Sequence, residues 1–255
     1  MRGIVISIVS LGLVFLLFFH SSVTERLPEE NFVNISIIRQ VITTYSCEIV
    51  EDCPDTPSLG SSQASGMAFI TQDDFTYILT ADHFCQDFYQ SFDNTWEEST
   101  LEIGSVIRIN DINGDQWDGE IVYSESTLDL CLIRSNMRKV KPLRISYHEP
   151  AMGEKVFTIS SPLGISGPGF ALHFDGNFSG CGRGNICYYS LPATFGSSGS
   201  VVLNSDMQVV GVIHSAAPMI PNVSRGSGSV AVRKFLSDAS RDLDVNLFSS
   251  YWMLY

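Results

Sequence analysis

Gly196-Ser197-Ser198-Gly199-Ser200, running into Val201-Val202-Leu203, is the stretch on which the reading of this chain turns. A serine stands between glycines at the mouth of an apolar, β-prone run. Glycine accepts backbone angles that side chains resist, so such a turn brings peptide N–H groups close to a reacting carbonyl. Gly/Ser clusters by themselves usually mark surface loops. This one has two partners upstream. His83 closes Tyr77-Ile78-Leu79-Thr80-Ala81-Asp82-His83, an apolar run that ends in T-A-x-H. Asp129 stands in Thr127-Leu128-Asp129-Leu130-Cys131-Leu132-Ile133, an acid at the start of an apolar strand. An acid in such a run costs free energy unless it is paired. A serine hydroxyl is a weak nucleophile at neutral pH. A histidine must take its proton, and a carboxylate must orient that histidine and stabilise its cation. His83, Asp129 and Ser198 supply these groups.

Other segments extend the pattern. Ser65-Gly66-Met67-Ala68-Phe69-Ile70 has the form S-G-x-x-F-I. Gly153 to Gly164 follows G-x-x-V-x-x-I-G-x-P-x-G, with Ser160 in place of the second Gly. Val209-Val210-Gly211-Val212-Ile213 and Gly228 to Leu236 complete the set. Over roughly residues 60 to 240 the chain resembles the trypsin-like (chymotrypsin-fold) serine proteases. The match is to the bacterial branch that includes the high-temperature-requirement proteases and the glutamyl endopeptidases. The resemblance implies an all-β protein of two six-stranded antiparallel barrels with a short C-terminal helix. Barrel 1 is expected over about 60–148 and barrel 2 over about 149–236, within a domain spanning 46–240. The resemblance puts the nucleophile immediately before the second glycine, which selects Ser198 over Ser197. It places the oxyanion hole at the N–H groups of Gly196 and Ser198. Ser197 replaces the Asp or Asn usual there, so activation through a freed N-terminus is not expected. A peptide substrate would lie as an extra strand along 214–216, and no cofactor is needed. Only a tail, 241–255, follows the domain, so no PDZ domain is expected.

Ala193, His214, Ser215 and Ala216 are the expected substrate-binding residues. Pro192 and Ala193 stand where the family places the base of its specificity pocket, and neither is an acid. Glutamyl-specific relatives carry a histidine two residues after the strand glycine. His214 comes three after Gly211, and a shift of one residue on a strand reverses the face. The simpler expectation is a small, apolar pocket.

The chain has 255 residues, a net charge of −13, 44% hydrophobic and 17% charged residues. That is the composition of a folded protein. No basic stripe is present, which argues against nucleic-acid binding. Arg2 precedes an apolar run from Ile4 to Phe19, inside an uncharged stretch that reaches Thr24. This N-terminal hydrophobic helix, residues 1–24, reads as a signal peptide or a retained signal anchor. Either places the body outside the cytoplasm, secreted or membrane-anchored, and 25–45 reads as a stem leading into a first strand or helix. Six cysteines fit export and allow fifteen pairings. Cys47 with Cys53 and Cys181 with Cys187 flank short loops. Cys85 and Cys131 are either bridged or buried thiols. Metal binding is not expected: no C-x-x-C pair occurs, and Asp111 to Asp115 departs from a calcium loop in its glycine position.

Strand-like runs fall near 65–70, 75–80, 106–110, 119–123, 155–160, 169–174, 186–191, 200–204, 208–214 and 228–232, with Asp129 opening another. Asn113-Gly114 marks a hairpin. Two other readings compete with a protease: a catalytically silent binding module on the same fold, and an exported, disulfide-rich structural or adhesion protein.

Overall fold

The computed structural model describes residues 26–45, 56–89, 98–217, 219–220 and 222–248. The N-terminal apolar run, Cys47, Cys53 and the end of the aromatic tail lie outside the described residues. Six strands close the first barrel: β1 (Phe32–Tyr45), β2 (Thr56–Gln72), β3 (Phe75–Thr80), β4 (Glu98–Asp111), β5 (Gln116–Glu125) and β6 (Leu130–Ser135). Their order around it is β1-β2-β3-β6-β5-β4, antiparallel throughout. The second barrel is built from β7 (Lys155–Ser160), β9 (Phe170–Cys181), β10 (Ile186–Tyr189), β11 (Val201–Leu203), β12 (Val209–Ala216) and β13 (Ser224–Gly228). It runs β10-β13-β12-β11-β7-β9 and closes through pairing of β9 with β10. The two-residue β8 (Ser166–Gly167) is appended to β9. Helix α1 (Asp82–Tyr89) follows β3, and α2 (Ser229–Asp242) follows β13. This is the expected pair of six-stranded antiparallel barrels with a C-terminal helix.

Two boundaries differ from the expectation. The stem is not a stem beyond Phe32: residues 32–45 form β1, which pairs with both β2 and β4. The alternation Val33, Ile35, Ile37 was the signal, since all three side chains are buried inside barrel 1. Residues 229–232 are helix, not strand. The Glu149 carboxylate accepts the N–H groups of Ser229 (3.0 Å) and Val230 (3.1 Å), which stabilises a helix N-terminus there. β3 ends at Thr80, Asp82 opens α1, and its buried carboxylate accepts from Gln86 Nε2 at 2.6 Å.

Runs without polar alternation have two buried faces. In β6, Cys131 and Ile133 point into barrel 1, while Leu130 and Leu132 point into the seam between the barrels. The seam packs Met67, Phe69 and Leu79 of barrel 1 against Val201, Leu203 and Val212 of barrel 2, with Val232, Phe235 and Leu236 of α2. Each such side chain contributes about 1.5–3 kcal/mol on burial, so the seam fixes the barrels against each other. Leu247 of the tail is buried in the same cluster. Two disulfides are present among the described residues, Cys85–Cys131 and Cys181–Cys187. No helix among the described residues is long and apolar enough to cross a membrane.

Candidate active site

His83 sits in the first turn of α1, and Asp129 in the turn that joins β5 to β6. The Cys85–Cys131 bridge fastens these two elements together, each cysteine lying two residues beyond its neighbour. Asp129 adopts a left-handed backbone (φ 49°), a conformation aspartate tolerates better than most residues. Its carboxylate accepts the His83 backbone N–H at 2.8 Å. The His83 ring Nδ1 lies 3.0 and 2.9 Å from the two carboxylate oxygens, and Nε2 lies 2.9 Å from Ser198 Oγ. A carboxylate only accepts, so Nδ1 carries the ring proton and bare Nε2 faces the hydroxyl. The three side chains singled out in the sequence therefore converge across the seam. Ser197 does not join them: it is buried, and its Oγ accepts from Thr194 N–H at 3.2 Å.

The turn carrying Ser198 needs its glycines. Gly196 has φ 87° and Gly199 φ 84°. A Cβ on Gly196 would collide with the backbone of Ser161 and Leu163. Leu163 N–H donates to Phe195 O at 2.6 Å. That bond fixes the 195–196 peptide. Ser197 O accepts from Ser200 N–H at 3.1 Å, which fixes the 197–198 peptide. Among the described residues, neither Gly196 N–H nor Ser198 N–H meets a protein acceptor. Two unspent donors beside a serine can receive an oxygen that becomes negative.

The model of the trypsin-like peptidase domain matches residues 64–212, more than half of the chain. The chain belongs to the trypsin-like peptidase family. No curated protein matches it. Its fold is similar to that of a solved serine endoprotease from Yersinia pestis, with a TM-score of 0.58 at 18% identity. That likeness covers 84% of this chain and 64% of the other, so the chain spans somewhat under two thirds of that relative's length.

In this member of the family the serine opens onto a cleft of about 720 Å³. All four sequence-named pocket residues, Ala193, His214, Ser215 and Ala216, line it, with Ile213 and Gln63. Exposed Leu163 and Phe195 form an apolar rim. Among the described residues no carboxylate lines this cleft, and Arg225 Nε donates to Ser215 Oγ, a lining residue, at 3.1 Å. His214 has a second neighbour that the sequence did not disclose. Its Nδ1 lies 3.7 Å from Asp129 Oδ2 and 3.3 Å from Ser215 Oγ. Burial pushes His214 below the ordinary histidine value; Asp129 opposes that shift, while His83 and Arg225 add to it. Burial also pushes the Asp129 carboxyl up. The hydrogen bonds from His83 and the charges of His83 and His214 outweigh it, so Asp129 is held below the carboxylate range. One grouping of possible metal ligands occurs among the described residues, Glu149 with Cys181 and Cys187. Both sulfurs are spent in a disulfide, and Glu149 caps α2.

Proposed function

We propose that the chain is a serine endopeptidase in which Ser198 is the nucleophile, His83 the general base and Asp129 the residue that orients it. The observation that carries this is the unbroken hydrogen-bond chain Asp129–His83–Ser198, beside the two unspent N–H groups. Ser198 Oγ attacks the substrate carbonyl while His83 Nε2 takes its proton. The oxyanion that forms is received by Gly196 and Ser198 N–H. His83 then protonates the leaving amine, which departs and leaves an acyl-enzyme on Ser198. Water, deprotonated by His83, attacks the ester, and collapse of the second oxyanion restores Ser198 and releases the acid. Electrostatic stabilisation at such a hole is commonly the largest contribution to rate.

The substrate lies extended along the end of β12. β11 pairs with β12 only from Val209 to Val212, so among the described residues no strand pairs with His214 to Ala216 on that side, where His214 O accepts from Ser198 Oγ at 3.4 Å. A peptide adds there as a strand. Protein or peptide is the substrate class. Two disulfides suit an exported chain, and we assign the protein to the extracytoplasmic side, secreted or held by its N-terminal segment. The rival, a silent binding module on this fold, has no use for the aligned His83 and Ser198 or for the unspent N–H pair. Ser198→Ala is expected to abolish cleavage of a mixed peptide library, by at least about a thousandfold, with an unchanged circular-dichroism spectrum. Ser197→Ala is expected to keep measurable cleavage. The reverse pattern would overturn the assignment of the nucleophile.

A further inference from the structure

We infer that the side-chain hydroxyl of Ser65 is a positioning residue for the oxyanion hole, a role that rests on the endopeptidase reading above. Ser65 is on β2 of barrel 1 and is fully buried. Its Oγ donates to Gly196 O at 2.8 Å and accepts from Ser161 N–H at 2.9 Å. Its backbone N–H donates to Ser198 O at 2.9 Å. Thr80 Oγ1 donates to Ser65 O at 2.8 Å, and Thr80 ends the strand that leads to His83. One residue of barrel 1 thus holds the nucleophile turn of barrel 2 at two points.

The need for such a hold is in the turn itself. Gly196 sits at φ 87° with no side chain to limit its rotation. Rotation of the 195–196 peptide would remove the Gly196 N–H from the hole, and rotation of the 196–197 peptide would shift the turn that leads into Ser198. Among the described residues the Ser197 side chain bonds Thr194 N–H and nothing on Gly196. The carbonyl of the 196–197 peptide is held by Ser65 Oγ directly. The carbonyl of the 195–196 peptide is held by Leu163 N–H. Leu163 lies in the turn whose first residue, Ser161, gives its own N–H to Ser65 Oγ. The hydroxyl therefore braces both peptides: the 196–197 peptide directly, together with the bond from Ser197 N–H to Thr194 O at 2.9 Å, and the 195–196 peptide through the 161–164 turn. Removing it leaves Gly196 O and Ser161 N–H buried without that partner, and buried polar groups move to find partners. The peptide best able to move is the one next to a glycine.

Hydrogen bonds aimed at a developing oxyanion act on the transition state more than on bound substrate. The test compares Ser65→Ala with Ser135→Ala in the full chain. Ser135 is a matched control: it is buried, its Oγ donates to Asp118 O at 2.7 Å and accepts from Met137 N–H at 3.3 Å, in barrel 1 away from the cleft. Each variant is assayed for kcat and KM on a chromogenic peptide substrate and for Ki of the matching peptide aldehyde, which forms a tetrahedral oxyanion, and of the cleaved product peptide. Ser65→Ala is expected to lose about tenfold or more in kcat with KM within about twofold. Aldehyde affinity should fall in proportion and product affinity should hold. Ser135→Ala is expected to stay near wild type in every constant. If Ser65→Ala does not fold, Ser65→Cys, a weaker donor of similar size, carries the comparison and should fall in the same direction. Equal losses in the two serine variants, or a Ser65 variant with wild-type kcat and aldehyde affinity, would overturn the inference alone, since the wild type is active in that case. A folded wild-type chain that neither cleaves peptides nor binds the aldehyde would overturn the endopeptidase reading and this inference with it.

Discussion

His214 is the residue whose ionisation is most exposed to test. Its ring faces Asp129, His83, Ser215 and, beyond Ser215, Arg225, and its folded value lies below the ordinary one because burial disfavours the cation. A depressed value means that the stability it contributes is fully present above the unfolded value of about 6.5. That stability is lost as pH falls through the depressed folded value, because the unfolded chain binds the proton more readily. Wild type is therefore expected to lose more thermal stability than His214→Asn between about pH 7 and pH 5. Melting followed by circular dichroism at each pH measures this; parallel curves for the two proteins would contradict it. Asp129 has the same sign at lower pH. Its contribution is present above the ordinary carboxylate range and lost below it, outside that window. The residues with strong local signatures, His83, Asp129 and Ser198, were legible in the sequence because each ends or begins an apolar run. The Ser65 hydroxyl was not, since its partners are 96 and 131 residues away. Nor was the contact of His214 with Asp129, which joins β12 to a turn of the other barrel.

At the scale of elements, the histidine-bearing helix and the aspartate-bearing turn are separate pieces joined by Cys85–Cys131, which closes 46 residues of chain. The chain-entropy argument assigns such a loop roughly 4 kcal/mol, against roughly 2 kcal/mol for the six-residue separation of Cys181–Cys187. Cys85→Ser with Cys131→Ser is expected to lower Tm by about 5–15 °C and kcat with it, because α1 is released from β6. Cys181→Ser with Cys187→Ser is expected to cost less stability and leave kcat near wild type. Equal effects on kcat from both pairs would show that the first bridge has no part in setting the His83–Asp129 distance. Most strands were legible from apolar runs between turn residues, and β3 and β7 fall where those runs do. β1 was legible only as a strand or a helix after the acidic stretch from Glu25 to Glu30, although Val33, Ile35 and Ile37 alternate as a half-buried strand requires. α1 was hidden because an apolar strand runs into it without a break. The helical start at Ser229 depends on a carboxylate 80 residues away.

For the whole molecule, a net charge of −13 and a cleft with no acid among its described lining residues act on different parts of recognition. The overall charge draws cationic peptides from a distance, but salt screens that attraction beyond about 8–10 Å. A Lys or Arg side chain entering the pocket needs a carboxylate to replace its hydration. Ala193, Ser215 and Ala216 supply none, and Arg225 behind Ser215 adds a charge of the wrong sign. Cleavage is therefore expected after small or apolar residues, with acidic side chains next. A library digest with most cuts after Lys or Arg would contradict this account of the pocket. The central claim is tested most directly by exposing the folded, full-length chain to a fluorophosphonate and mapping the adduct by mass spectrometry. The account predicts one covalent label, on Ser198, lost in His83→Ala as well as in Ser198→Ala; a folded chain that takes no label, or takes it on Ser197 or elsewhere, would contradict it.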